Sequence, residues 1–123
     1  MSESNVSLSV PAEAGYARAV RMMAANLAVM CDMSVDDVED VRMAAEEGFV
    51  YSCATAPKAC DVSFSMGDGA FSMDFSLGER DIEEAEPTED LGLVELLLQA
   101  VCDECEVAGG ALHLVKRNGG AHA

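Results

Sequence analysis

A chain of 123 residues, half of them hydrophobic, can bury one core and is short for two ordinary domains. Its formal charge of −16, from 23 acids against 7 bases, excludes nonspecific nucleic-acid binding, because a polyphosphate would be repelled. No apolar run approaches the roughly 18–20 residues of a membrane span, and the segment Met1 to Asn5 has neither the basic nor the apolar region of a signal peptide, so a soluble, cytoplasmic protein is expected.

Residues 5–10 alternate apolar and polar, which predicts a half-buried strand broken by Pro11. From about 13 to 31, Tyr16, Val20, Met23, Leu27 and Met30 recur at helical steps, a stripe expected to lie buried against a sheet. Ser34, three residues before Asp37, resembles a cap opening a second helix over about 35–55, with Val38, Val41, Ala45 and Phe49 facing inward. Glu47 and Tyr51, four apart, share another face of that helix. The segments 60–66 and 70–76 alternate around Gly67-Asp68-Gly69 and read as a hairpin, with Phe64, Met66, Phe71, Met73 and Phe75 in the core.

Residues 79–90 carry seven acids against one arginine, a solvated loop by composition. Leu91 to Val101 reads as an apolar helix, and 104–107 and 111–116 as strands around Gly109-Gly110. This order predicts an α+β protein, a two-layer α/β sandwich whose mixed sheet carries three helices on one face. Residues 1–4 are expected to be a disordered N-terminus, 5–117 a single domain and 118–123 a flexible tail.

The five cysteines lie in otherwise apolar segments, as reduced packing residues do. Cys102 and Cys105 alone have metal-ligand spacing, and a zinc site wants about four ligands. No metal site is therefore expected.

The run from Asp40 to Tyr51 resembles a nucleotide-site helix. Asp40, Val41, Met43, Ala44 and Glu47 fit the pattern D-h-x-h-A-h-x-E-x-x-x-N of the bacterial anti-sigma-factor serine kinases, the RsbW and SpoIIAB type, within the GHKL (histidine-kinase/Hsp90-like, Bergerat) ATPase superfamily. The order of elements is similar to that family's from Val6 through Arg117, and the resemblance implies the GHKL type of sandwich. In such kinases the final Asn of the helix binds magnesium, an Asp-x-Gly box binds adenine, a Gly-x-Gly opens the third helix against the phosphates, and a Thr follows the last glycine.

At the metal position this chain has Tyr51, a neutral phenol where magnesium wants compact oxygen ligands. Gly78 matches the glycine of the adenine box, which puts Ser76 in the Asp position; strand phase puts Leu77 there instead, and neither is a carboxylate. Asp90 replaces the first phosphate glycine while Gly92 keeps the second, and an acid at a helix N-terminus opposes the phosphate that end would otherwise attract. Ala111 replaces the Thr, and residues 79–90 lack a glycine-rich lid. Glu47 alone remains, at the family's catalytic-base position.

Three functions follow as expectations. The first is an anti-sigma-factor-like regulator of a bacterial partner-switching system, acting by protein binding with a defective nucleotide site. By resemblance its partners are a sigma factor or a STAS-domain anti-sigma antagonist, with homodimerisation a further possibility and no cofactor expected. The second is an active serine kinase of the antagonist, using ATP and Mg with Glu47 as base. The third is a metal or small-ligand sensor built on Cys102, Cys105 and the eight methionines.

Overall fold

The computed structural model describes residues 4–80 and 91–118. Its elements in chain order are β1 (Ser4–Pro11), a 3-10 turn (Ala14–Tyr16), α1 (Ala17–Met30), α2 (Val35–Ala54), β2 (Ala59–Gly67), β3 (Ala70–Ser76), α3 (Leu91–Val101), β4 (Glu104–Ala108) and β5 (Ala111–Arg117). The five strands form one sheet in the order β1-β2-β3-β5-β4.

Every neighbouring pair in that sheet is antiparallel, which corrects the expectation of a mixed sheet. Connectivity supplies the reason. The pair α1–α2 returns the chain so that β2 runs against β1, and a tight turn reverses it again into β3. The single helix α3 does bring β4 back parallel to β3, but β5 inserts between them and separates the parallel pair.

Strand periodicity sorts the two faces. Val6, Phe64, Met73, Leu114 and Cys105 form one cross-strand row on the helix-covered face, and Leu8, Val62, Phe75 and Leu112 form the next. The opposite face carries Ser7, Ser63, Asp74, His113 and Glu106 in register, as an antiparallel sheet wetted on one side allows. Asp74 Oδ1 lies 2.5 Å from His113 Nδ1 at its centre.

Helix α2 starts where the sequence signals it: Ser34 Oγ accepts a hydrogen bond from the Asp37 N–H at 3.1 Å, and Asp36 and Asp37 sit in the positively polarised first turn. The helix lies close on the sheet at Gly48, where a Cβ would stand 2.7 Å from the Phe75 ring. Lys116, projecting from β5 into the helix layer, ties down its start, with Nζ 2.9 Å from Asp40 Oδ2 and 3.8 Å from Asp37 Oδ1. Helix α1 departs from expectation at both ends. Val20 and Leu27 are buried and Met23 packs against the core, but Tyr16 is 41% exposed and Met30 77%. The covered stripe is completed by Ala24 and Ala28, because small side chains let α1 approach α2 closely.

Candidate functional site

Of the residues expected to form the nucleotide site, Tyr51 lies in one place and Ser76, Gly78 and Ala111 in another. Tyr51, in the last turn of α2, is buried at 5% exposure and lines a cleft with Glu95 and Gln99 of α3, Cys105 and Glu106 of β4, and Leu112 of β5. The cleft holds about 130 Å³, below the roughly 300–1,000 Å³ of ordinary small-molecule sites. Burial raises the pKa of the Tyr51 phenol, and the nearby Glu95 charge adds to that, so Tyr51 is held neutral and cannot act as an anionic magnesium ligand.

Ser76 and Gly78 lie at the other place, where β3 leaves the sheet beside the C-terminus of α2. Thr55 Oγ1 donates to the Ser52 carbonyl at 2.6 Å and accepts from the Gly78 N–H at 2.7 Å. Ser52 Oγ donates to the Ser76 carbonyl at 2.6 Å and touches Cys60 Sγ at 3.2 Å. The Arg80 N–H reaches the Thr55 carbonyl at 3.0 Å. Ser52 and Thr55 are buried, so these bonds satisfy polar groups that water does not reach.

The side chain of Ser76 turns to the neighbouring strand, with Oγ accepting from the Asp61 N–H at 2.9 Å. Leu77 packs against the core, and its N–H donates to the Gly110 carbonyl at 3.0 Å. Ala111 is the direct register partner of Ser76, so these two expected positions do meet. Gly78 is held so closely that a Cβ would collide with the Thr55 carbonyl oxygen. This glycine therefore has a packing reason of its own, independent of any nucleotide.

Gly92 is exposed in the first turn of α3, outside the Tyr51 cleft. Asp90 and the acidic stretch from 81 on lie outside the described residues. Glu47 is half-buried on α2; burial raises its carboxyl pKa, with the charge of Glu46 adding to the effect. Glu46 itself pairs with Arg21 of α1 at 3.0 Å.

Burial pushes the Cys102 thiol up to about 12, with the charge of Cys105 next in importance. Burial and then Glu95 raise Cys105 as well. Both thiols are thus held protonated, the unfavourable direction for a metal thiolate or a nucleophile. No group of three or more His, Cys, Asp or Glu placed to hold a metal occurs among the described residues, and no helix among them is long and apolar enough to cross a membrane.

Sequence reasoning missed Ser52, Thr55, Glu95 and Gln99. Ser52 and Thr55 did leave a trace, as two hydroxyls three apart near the end of an otherwise apolar helix segment. Glu95 and Gln99, one turn apart on α3, left none, because only the packing of α3 beside α2 and β4 brings them to Tyr51.

No protein-family model matches the chain, and no curated protein matches it significantly. The resemblance to anti-sigma-factor kinases rests on the residues quoted from the sequence.

Proposed function

We propose that this protein is an anti-sigma-factor-like regulator that acts by binding other proteins and no longer transfers phosphate. The observation that carries this reading is the state of the expected nucleotide positions. A buried, neutral Tyr51 stands where the metal ligand belongs, and the chain's own Ser52, Thr55 and Gly78 bonds occupy the end of β3. Phosphoryl transfer depends mainly on positioning and charge stabilisation, and a neutral phenol in place of a metal ligand acts against both.

Protein binding is supported by exposed apolar side chains, Met22, Val29 and Met30 on α1, Tyr16 just before it and Val35 at the start of α2, which a partner would cover. By resemblance the partner is a sigma factor or a STAS-domain antagonist, exchanged by mass action or another signal instead of phosphorylation.

The raised pKa of Glu47 favours the second reading, an active serine kinase, because a carboxylate moved toward neutrality is a better proton acceptor at physiological pH. One experiment separates the two. ATP with magnesium is expected to leave the melting temperature unchanged, whereas occupancy at 100 times Kd would add about 2.7 kcal/mol. A magnesium-dependent rise in Tm, accompanied by phosphate transfer to a STAS-domain protein that Glu47→Ala abolishes, would establish the kinase.

A further inference from the structure

An open sheet leaves its two outermost strands half-paired, and the two edges of this sheet differ in chemistry. Strand β4 pairs with β5 on one side only, so along its outer side the backbone donors and acceptors of alternate residues face no strand among the described residues. It is short, Glu104–Ala108, and carries two acids, whereas β1, the other edge strand, has no charged residue in Ser4–Pro11. An uncharged edge pairs without discrimination. A charged edge rejects strands of its own sign and accepts those of the other.

The same strand lines the Tyr51 cleft, about 130 Å³ between Cys105, Glu106 and Val107 of β4 and Glu95 and Gln99 of α3. That volume is small for a free ligand, but one long side chain reaching in from a strand laid along β4 needs no larger space. Strands alternate, so Cys105 and Val107 belong to the helix-covered face and Glu104 and Glu106 to the open face. Val107 is nevertheless 54% exposed, although its register partner Leu112 is buried. A further strand beside β4 would extend the covered face over it.

Acids stand on both faces of this edge. Glu104 pairs with Arg117, but Glu106 on β4 and Glu95 on α3 are exposed and in no ion pair among the described residues. Burial first, and then the charge of Glu95, raise the pKa of both Tyr51 and Cys105, so the Glu95 carboxylate bears on the cleft. No lysine, arginine or histidine is among the described lining residues.

We propose that β4 receives an added strand from another protein, an extended basic segment whose lysine or arginine side chains meet Glu106 on the open face and Glu95 at the cleft while an apolar side chain covers Val107. Backbone pairing along the edge supplies affinity and the alternate side chains supply specificity. The field of a chain carrying −16 favours the approach of such a segment. It disfavours a second copy of this chain, since β4 against β4 would set Glu104 and Glu106 beside acids of the same kind. This edge lies on elements other than the exposed apolar side chains of α1 and α2, and its occupation does not depend on the anti-sigma-factor reading.

The test is a titration of the ¹⁵N-labelled full chain with the acetylated and amidated peptide Lys-Val-Lys-Lys-Lys-Val-Lys, followed by amide chemical shifts. Saturable shifts are expected from Glu104 to Ala108 and at Glu95 and Gln99, and the outward amides of β4 should gain protection from hydrogen exchange. The same peptide methylated at every backbone nitrogen keeps its charge but donates no backbone hydrogen bond, and it should bind at least about tenfold more weakly. Glu95→Gln with Glu106→Gln should weaken the unmethylated peptide by about tenfold. Both side chains are exposed, so the double variant keeps the fold, which its spectrum reports.

Equal affinity for the methylated peptide would overturn the inference, because charge alone would then account for binding. Unchanged binding by the folded double variant would do the same, as would saturable shifts centred on β1. Protection of every β4 amide in the free monomer would show that the chain covers this edge itself, and β4 shifts that follow the concentration of the free protein would place a second copy there. Either result excludes the added strand.

Discussion

Gly78 shows how one residue can satisfy a sequence motif for a reason the motif does not contain. Its glycine matches the adenine box, yet the structure needs it because the chain leaving β3 passes against the Thr55 carbonyl and the Ala56–Pro57 backbone. Those atoms are main chain and cannot swing aside. Gly78→Ala is therefore expected to cost more than about 2 kcal/mol, an overpacking penalty, read as a lower denaturation midpoint at unchanged m-value. Gly48 offers a graded comparison, since the atoms met there belong to the buried Phe75 ring. A stability for Gly78→Ala equal to wild type would mean that the turn after β3 relaxes freely and that the hydrogen-bonded knot around Thr55 is not rigid.

Helix α1 and strand β5 make the argument at the level of elements. A period of three and four identifies an apolar stripe, but α1 is apolar nearly all round, so the stripe alone does not say which turns are covered. Leu27→Ala should destabilise by about 2–5 kcal/mol, whereas Met30→Ser should lie within about 0.5 kcal/mol of wild type. Chemical denaturation of both variants decides it; similar losses would return Met30 to the core.

Strand β5 sends Lys116 into the helix layer, where burial lowers its pKa but the hydrogen bond and charge of Asp40, with Asp37 and Asp103, outweigh burial and raise it overall. A raised lysine pKa means that the folded state keeps a proton the unfolded chain gives up. Its stabilisation is complete below the ordinary value of 10.5 and fades as pH rises through the higher folded value. Stability of wild type should thus fall at alkaline pH more steeply than that of Lys116→Met, which at neutral pH should already be weaker by about 1–3 kcal/mol. Parallel alkaline profiles for the two proteins would show that the pair with Asp40 contributes nothing.

For the whole molecule the dominant electrostatic fact is the excess of 23 acids over 7 bases. Most like charges are closer to one another when the chain folds, and mobile ions screen that repulsion over a Debye length of about 10 Å at 0.1 M salt. The few ion pairs, such as Arg21–Glu46 and Lys116–Asp40, are weakened by the same screening but are outnumbered. Raising sodium chloride from low to moderate concentration should therefore lift Tm by about 2–5 °C. A fall in Tm by differential scanning fluorimetry would assign more stability to those pairs than to relief of repulsion.

The elements were legible in the sequence because each is written locally. Alternation from Cys60 to Ser76 marks both strands of the hairpin and their core face, Ser34 marks the start of α2, and the apolar run from Leu91 to Val101 marks α3. Local pattern encodes which face a side chain takes, not which element covers it. The insertion of β5 between β3 and β4, the exposure of Met30, and the meeting of Glu95 with Tyr51 depend on contacts between residues far apart in the chain. The candidate site divides in the same way. A phenol at Tyr51, where the resemblance expects a magnesium ligand, was visible as a residue type, whereas the closure of Ser52, Thr55 and Gly78 on one another exists only once the end of α2 meets β3. Residue chemistry is a property of the sequence, but hydrogen-bond satisfaction and enclosed volume are properties of distances, and only the folded chain sets those.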